Sequence, residues 1–297
     1  MESNKDETYF EDKSFSSSRE EEAVPLLENF SDSFEIKHAD KDLPKVSIVI
    51  PTCNCTPLIS STLESILNQD YPNFEVIVVD SSDDRTTEVI KGYRSEKLRI
   101  VSISSCKRYE SFNKGLSLAD GEYVNFLNPG DFYTYQATLK QMMSLAIDND
   151  KPQMVYCGTI LREARTEVKI LYRVLTLDLL KNGQQPTSLQ ACWFRADALR
   201  KIGKFNPQYN MRGGFELMCR FFLESDFRFA SIKRIFIDYD LRLVTRQMVI
   251  THFWETMKTI YHFFGIGATL RWLWHQKDIK RFIKLWIHSL KVAFSGR

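Results

Sequence analysis

The 297-residue sequence has no uninterrupted apolar run of bilayer length, and no early apolar segment flanked by basic residues. The first absence argues against a membrane-spanning helix and the second against a secretory leader, so a cytoplasmic location is expected. The six cysteines, at positions 53, 55, 106, 157, 192 and 219, lack the second Cys/His pair that a zinc site needs. Dispersed and mostly within apolar segments, they read as reduced core thiols. Net charge is also small, +2 from 40 Lys+Arg against 38 Asp+Glu, and no nucleic-acid partner is expected. What the chain does have is 43% hydrophobic residues, ample for a packed core in one large domain or two small ones.

The charge is unevenly spread. Residues 1–43 are rich in Ser, Glu and Asp, with Glu20, Glu21 and Glu22 in a row, and they read as a disordered acidic tail. Within them EAVPLL, Glu22 to Leu27, has the form of an acidic dileucine signal, a pattern short enough to arise by chance. Residues 271–297 instead carry Arg271, Lys277, Lys280, Arg281, Lys284, Lys291 and Arg297 against Asp278. Ile279, Phe282, Ile283, Trp286, Ile287 and Leu290 share one face of a helix there and the basic residues another. Such a helix has two placements. Lys277, Arg281, Lys284 and Trp286 would meet an anionic membrane surface, making the protein peripheral on the cytoplasmic face, or the helix would pack on its own domain with its basic side in solvent.

Between the tails the pattern is of alternating strands and helices. KVSIVIP from Lys45 reads as a strand, and Thr56 and Pro57 suit the start of a helix whose apolar face is Ile59, Leu63, Ile66 and Leu67. FEVIVVD is a second strand, Thr86 to Tyr93 a helix, LRIVSIS a third strand and Glu110 to Leu118 a helix before GEYVNFLNPGD. Continuous Val/Ile/Phe runs in such a series are strands buried on both faces of a parallel sheet. Ligands bind these sheets at the carboxyl ends of the strands. FEVIVVD closes there on Asp80 and YVNFLNPGD on Asn128 and Asp131, which makes the two aspartates the first candidates for chemistry. Beyond about residue 151 the alternation lapses: MVYCG, VKILYR and ACWF read as strands, with helices near Ala196 to Ile202 and Phe215 to Leu223.

Longer motifs are more specific. VSIVIPTCN, LESILNQDYPNFEVIVVD, the run Asn113, Lys114, Gly115, then GEYVNFLNPGD, and finally PTSLQACWFRADALRKIGKFNPQYNMRGGFELMCRF together resemble the family 2 glycosyltransferases, from about Lys45 to Glu255. The resemblance implies an α/β GT-A fold, with a Rossmann-like, mostly parallel central sheet, an acceptor-side subregion and C-terminal helices. Residues 44–245 would form that domain and 246–297 the C-terminal helices. It implies inverting transfer of a sugar from a nucleotide-diphospho-sugar to a glycan or lipid-linked acceptor, in polysaccharide or glycolipid synthesis. By the same resemblance Pro51, Thr52, Asn54, Asp80, Asn113, Lys114, Asn128 and Asp131 would line the donor site. Asp131 would also be a catalytic, metal-side carboxylate for Mg or Mn, and Gln190 and Trp193 would lie on the acceptor side.

The departures from that pattern are several and fall where function should reside. Asn128 and Gly130 stand where the usual metal motif has acids, as they do in a related branch. Leu189 replaces the His before Gln190, Asn206 the Asp of a Gly-Phe-Asp turn, and Gly214, beside Gly213, the expected catalytic base. Glycine cannot take a proton, and general-base catalysis contributes about 100- to 10,000-fold in rate. Glu216 is the candidate substitute base, although two residues along a helix rotate it by about 200°; the alternative is an acid paired with Arg212 or Arg220. Asp80 and Asp131 have alternatives as turn residues, Asp83 and Asp84 as helix caps, and Lys107 and Arg108 as solvated loop residues. A catalytically silent relative that binds a nucleotide sugar, a glycan or a partner enzyme is the rival to the transferase.

Overall fold

The computed structural model describes residues 43–162, 169–224, 226–242 and 244–276. The acidic tail to residue 42 and the basic segment with Lys277, Arg281, Lys284 and Trp286 lie outside them. The first half is β1 (Val46–Thr52), α1 (Thr56–Leu67), β2 (Phe74–Asp80), α2 (Thr86–Gly92), β3 (Leu98–Ser102), α3 (Arg108–Leu116) and β4 (Tyr123–Phe126). There follow β5 (Phe132–Tyr133), α4 (Thr138–Asp148), β6 (Met154–Arg162), β7 (Lys169–Leu171), α5 (Leu177–Lys181), a short turn of 3-10 helix (Leu189–Ala191) and β8 (Cys192–Arg195). Last come α6 (Ala196–Ile202), α7 (Gly213–Leu223), β9 (Phe229–Asp240) and α8 (Arg246–His275), which kinks at Gly265.

Among the described residues nine strands form one sheet in the order β3-β2-β1-β4-β8-β6-β9-β5, with β7 paired to β6. The first four strands are parallel, in a register that sets Thr52 beside Asp80. From β8 onward the pairing is mixed: β8 runs antiparallel to β4 and β6, while β9 is parallel to β6 and antiparallel to β5. Successive residues of β1 and β2 point to opposite layers. Ile48, Ile50, Val76 and Val78 meet α1 and α4 through Ile59, Leu63, Leu139 and Met142. Val49, Ile77 and Val79 share the other layer with α3, α7 and α8, among Phe112, Phe215, Met218, Ile260 and Trp272. Covering both faces is why these strands are mostly apolar, each fully buried Val or Ile contributing roughly 1.5–3 kcal/mol.

Several local expectations change. Cys55, not Thr56, occupies the N-cap of α1, and the Thr56 hydroxyl donates to Asp84 Oδ2 at 2.9 Å. α7 begins two residues early, at Gly213, because the Glu216 amide closes the first turn on Arg212 O despite the glycines. β9 escapes a pattern reading because Lys233, Arg234, Asp238 and Asp240 interrupt its apolar residues. The cysteine reading holds for Cys55, Cys157, Cys192 and Cys219, which are free and buried. It fails for Cys53 and Cys106, which form a disulfide with their Cα atoms 5.6 Å apart. The loops after β1 and β3 meet above the end of β2, so residues 53 positions apart in sequence become neighbours. No helix among the described residues is long and apolar enough to cross a membrane.

Gly115 sets the distance of α3 from the sheet: a Cβ there would stand 2.2 Å from Val49 Cγ1. Gly115→Ala should cost about 1–3 kcal/mol in urea unfolding, the usual penalty of overpacking, and Val49→Ala in the same chain should recover part of it. Equal stability of Gly115→Ala and wild type would show that the helix yields freely at this point.

Candidate functional site

Strand order reverses between β1 and β4, since β2 and β3 lie on one side and β8 on the other. The crevice at such a switch point, beyond the carboxyl ends of the strands, is where open α/β sheets bind ligands. Asp80 closes β2 at its rim and is only 3% exposed. Its carboxylate accepts the Thr52 hydroxyl at 2.7 Å, the Ser82 hydroxyl at 2.7 Å and amide at 3.2 Å, and the Thr87 hydroxyl. Burial would raise its pKa, but the hydroxyls of Thr87, Ser82 and Thr52 outweigh burial and hold it below the ordinary value, so Asp80 is ionised at neutral pH. Asn54, in the left-handed region at φ 51°, accepts the Asp83 amide and donates its own amide to Ser82, each at 3.0 Å. Pro51 and Thr52 end β1 beneath it, and the Cys53–Cys106 disulfide ties the neighbouring loops over Ser81.

The second acid is built differently. Asn128, Pro129 and Gly130, the last at φ 95°, turn the chain after β4 so that Asp131 points inward, 1% exposed. Its Oδ2 accepts the Asn128 amide at 3.1 Å, Asn128 Nδ2 at 2.9 Å and Gln190 Nε2 at 2.9 Å, while Oδ1 accepts the Asp240 amide at 3.0 Å. Burial pushes its pKa up to about 6, with those N–H donors pulling the other way. Asn128 and Asp131, expected on the donor side, and Gln190, expected on the acceptor side, are thereby one cluster.

Other candidates are drawn elsewhere. Asn113 grips the backbone of Phe205, donating to its oxygen at 2.8 Å and accepting its amide at 2.9 Å, and Lys114 lies exposed at the end of α3. Trp193 is wholly buried in mid-sheet, stacked on Tyr133, so it offers no acceptor surface. Both oxygens of Glu216 bind Arg220 at 2.8 Å, and Arg220 also donates to the carbonyls of Ile202, Gly203 and Lys204. That pairing is the alternative foreseen for Glu216, and it takes up both oxygens that a base would need. The space at Gly214 is taken too: a Cβ there would lie 3.2 Å from Leu189 Cδ2, and one at Gly213 would lie 2.7 Å from the Tyr109 ring. Two departures from the family pattern, Leu189 and Gly214, therefore face each other.

Residues without a motif complete the rim. Arg162 Nε donates to Asp238 Oδ1 at 2.8 Å and its Nη2 to Gly130 O at 3.0 Å. Arg242 binds Asp240 Oδ1 through Nε at 3.0 Å and Oδ2 through Nη2 at 2.8 Å. Glu255 of α8 receives the amides of Asn210, Met211 and Arg212 at 2.7, 2.9 and 2.7 Å and fixes the loop that enters α7. Only the spacing of Asp238 and Asp240 at the end of an apolar run hinted at them. A divalent cation fits this arrangement poorly. Asp131 engages both oxygens with four N–H donors, leaving Asn128 Oδ1, buried and without a partner, as the open oxygen of that turn. No group of three or more His, Cys, Asp or Glu among the described residues could hold a metal, whereas Mg is normally held by one or two carboxylates along with substrate phosphates.

Comparison with known proteins gives a consistent family. The model of glycosyl transferase family 2 matches residues 47–203. A PGL/p-HBAD biosynthesis glycosyltransferase of Mycobacterium bovis is 26% identical over 183 residues, 60% of this chain and 70% of the relative. An Escherichia coli UDP-Glc:alpha-D-GlcNAc-diphosphoundecaprenol beta-1,3-glucosyltransferase is 36% identical over 90 residues, 30% of this chain and 36% of the relative. Among solved structures, Staphylococcus aureus TarS 1-349 in complex with UDP superposes with a TM-score of 0.59 at 21% identity, over 73% of this chain and 64% of that one. The mannosyltransferase PcManGT from Pyrobaculum calidifontis, in complex with GDP-Man and Mn2+, superposes at 0.55 with 17% identity, over 91% and 86%. These likenesses show the GT-A fold, which in the last protein accommodates a divalent cation.

The raised pKa of Asp131 carries a sign. Because the folded value of about 6 lies above the ordinary 3.8, its contribution to stability is fully present below about pH 4 and is lost as pH rises through about 6. The loss amounts to ~3 kcal/mol. Urea unfolding of wild type and Asp131→Asn across that range should show the wild-type advantage shrinking as pH rises; a constant difference would place the Asp131 pKa near its ordinary value.

Proposed function

The chain belongs to glycosyl transferase family 2, and from that membership we propose that it transfers a sugar, with inversion, from a nucleotide-diphospho-sugar to a glycan or lipid-linked acceptor. The observation that carries this reading is Asp80, ionised and held at the end of β2 beside Thr52 and Asn54. A nucleoside lying across β1 and β2 meets that carboxylate, and its phosphates then reach the β1/β4 crevice beside Asn128 and Gly130. Asp131 positions this floor: its carboxylate fixes the Asn128 turn and the Gln190 amide together. The E. coli relative's name supplies the substrates to try first, a UDP-sugar and a diphosphoundecaprenol acceptor. Lys277, Arg281, Lys284 and Trp286 would then hold the protein peripherally on the cytoplasmic side, where such a lipid acceptor is presented. Loss of anionic-vesicle binding on deleting residues 277–297 is the expected result, and undiminished binding would remove this basic segment from that role.

A second reading is favoured by one observation, the Leu189 side chain filling the space at Gly214. In that reading the chain binds a nucleotide sugar, a glycan or a partner enzyme without transfer.

Calorimetric titration with UDP, GDP and UDP-sugars, followed by donor hydrolysis and transfer assays, separates the two. Transfer by the wild type, with at least tenfold weaker nucleotide binding by Asp80→Ala, is expected of the transferase. Binding without turnover, together with turnover gained by the double variant Leu189→His/Gly214→Asp, would establish the silent reading, and no binding by any nucleotide would remove both donor-site readings. Gly214→Asp alone should gain little, because its side chain meets Leu189.

A further inference from the structure

The place left by a missing acid at position 130 is filled from another strand. A Cβ on Gly130 would stand 3.2 Å from Asp240 Oδ2, so the carboxylate of Asp240 occupies the direction in which a side chain at 130 would grow. That carboxylate carries guanidinium groups. Arg242 binds both its oxygens, and Arg162 Nη1 stands 3.7 Å from Oδ2 while its Nε and Nη2 engage Asp238 and the Gly130 carbonyl. The Asp240 amide, in turn, donates to Asp131. Fixed cations therefore stand on acidic partners at the phosphate end of the crevice, next to a carboxylate already saturated by N–H donors.

Resting on the donor site described above, we propose that Arg162 and Arg242 neutralise the donor diphosphate in this chain, and that nucleotide binding needs no divalent cation. Guanidinium groups suit the task because their charge is permanent and each carries five N–H donors, so that Nη1 is left for a phosphate oxygen while Nε and Nη2 hold the acids and the Gly130 carbonyl. Asp238 and Asp240 hold the forks in place before the ligand arrives, which spares the ordering of two long side chains on binding. Arg242 keeps 48% of its side chain open to solvent and Arg162 28%, so both reach a ligand without refolding of the rim. During transfer the acceptor hydroxyl oxygen bonds to the anomeric carbon and gives its proton to solvent, while the bond from that carbon to the diphosphate oxygen breaks with its electron pair leaving on the phosphate; the same guanidinium groups would stabilise that departing charge.

The test is titration of the full chain with UDP, GDP and uridine, once in EDTA and once in Mn. The expected result is a diphosphate affinity that differs less than about twofold between the two conditions. Arg242→Ala should weaken UDP or GDP binding about 10- to 100-fold, the range for losing a charged hydrogen-bonding partner, and leave uridine binding unchanged. Arg242 is the first choice because Asp240 keeps Arg162 as a neighbour when it is removed. The double variant Arg162→Gln/Asp238→Asn, which removes both charges of a pair, should repeat the loss without unfolding the rim. A tenfold or greater gain in Mn over EDTA, or wild-type UDP and GDP affinity in Arg242→Ala, overturns the proposal. Binding of neither diphosphate in either condition overturns the donor-site reading beneath it.

Discussion

The carboxylate of Asp131 is the joint on which the two halves of the molecule meet. Its four N–H donors come from the turn after β4, from Gln190 ahead of β8 and from Asp240 at the end of β9. The first belongs to the parallel half of the sheet and the other two to the mixed half. A buried carboxylate without donors would be neutralised or expelled, since leaving a buried charge unpaired costs more than burial of a neighbouring side chain returns. Satisfying it fixes the depth of the crevice floor and the positions of Asn128 and Gln190 at once. The same four bonds leave neither carboxylate oxygen without an N–H donor.

Around that joint the rim is organised by charge pairs and the acceptor wall by packing. Arg162 and Arg242 pair with Asp238 and Asp240 at the rim beside Gly130. On the other side Glu255 gathers three consecutive amides, and Arg212 donates to Gly183 O at 2.7 Å while its guanidinium lies 4.1 Å over Phe215. Burial lowers the pKa of Arg212 to about 10, which still leaves it charged at neutral pH. The loop between them is therefore held rigidly with Gly213 against Tyr109 and Gly214 against Leu189. Beside Gly214 the wall is apolar, because the Leu189 side chain takes up the space into which a side chain at 214 would grow.

Much of the donor half is legible from residue order alone. Runs such as FEVIVVD are mostly apolar and bounded, and they became β1, β2 and β4 because a strand covered on both faces has few polar positions to blur its pattern. Motif residues close in sequence to a strand end, Thr52, Asn54 and Asp80, were found together because the strand itself delivers them. The half beyond residue 151 was harder. β9 alternates charge with apolar residues, and what binds Asp131 from there is a backbone amide, which no residue type advertises.

The sequence by itself determined the layered α/β plan, the place of Asp80 at the end of β2 and of Asp131 in the turn after β4, and the glycine at position 214, since each depends on local pattern or on residue identity. Tertiary structure alone decided the rest. It turned Asp131 inward, bound Glu216 to Arg220, buried Trp193, joined Cys53 to Cys106, and set Asp240 with its arginines in the space beside Gly130. Each of those outcomes depends on which distant segment arrives at a given side chain. The sheet order settles that through long-range pairing, and a linear pattern does not record it.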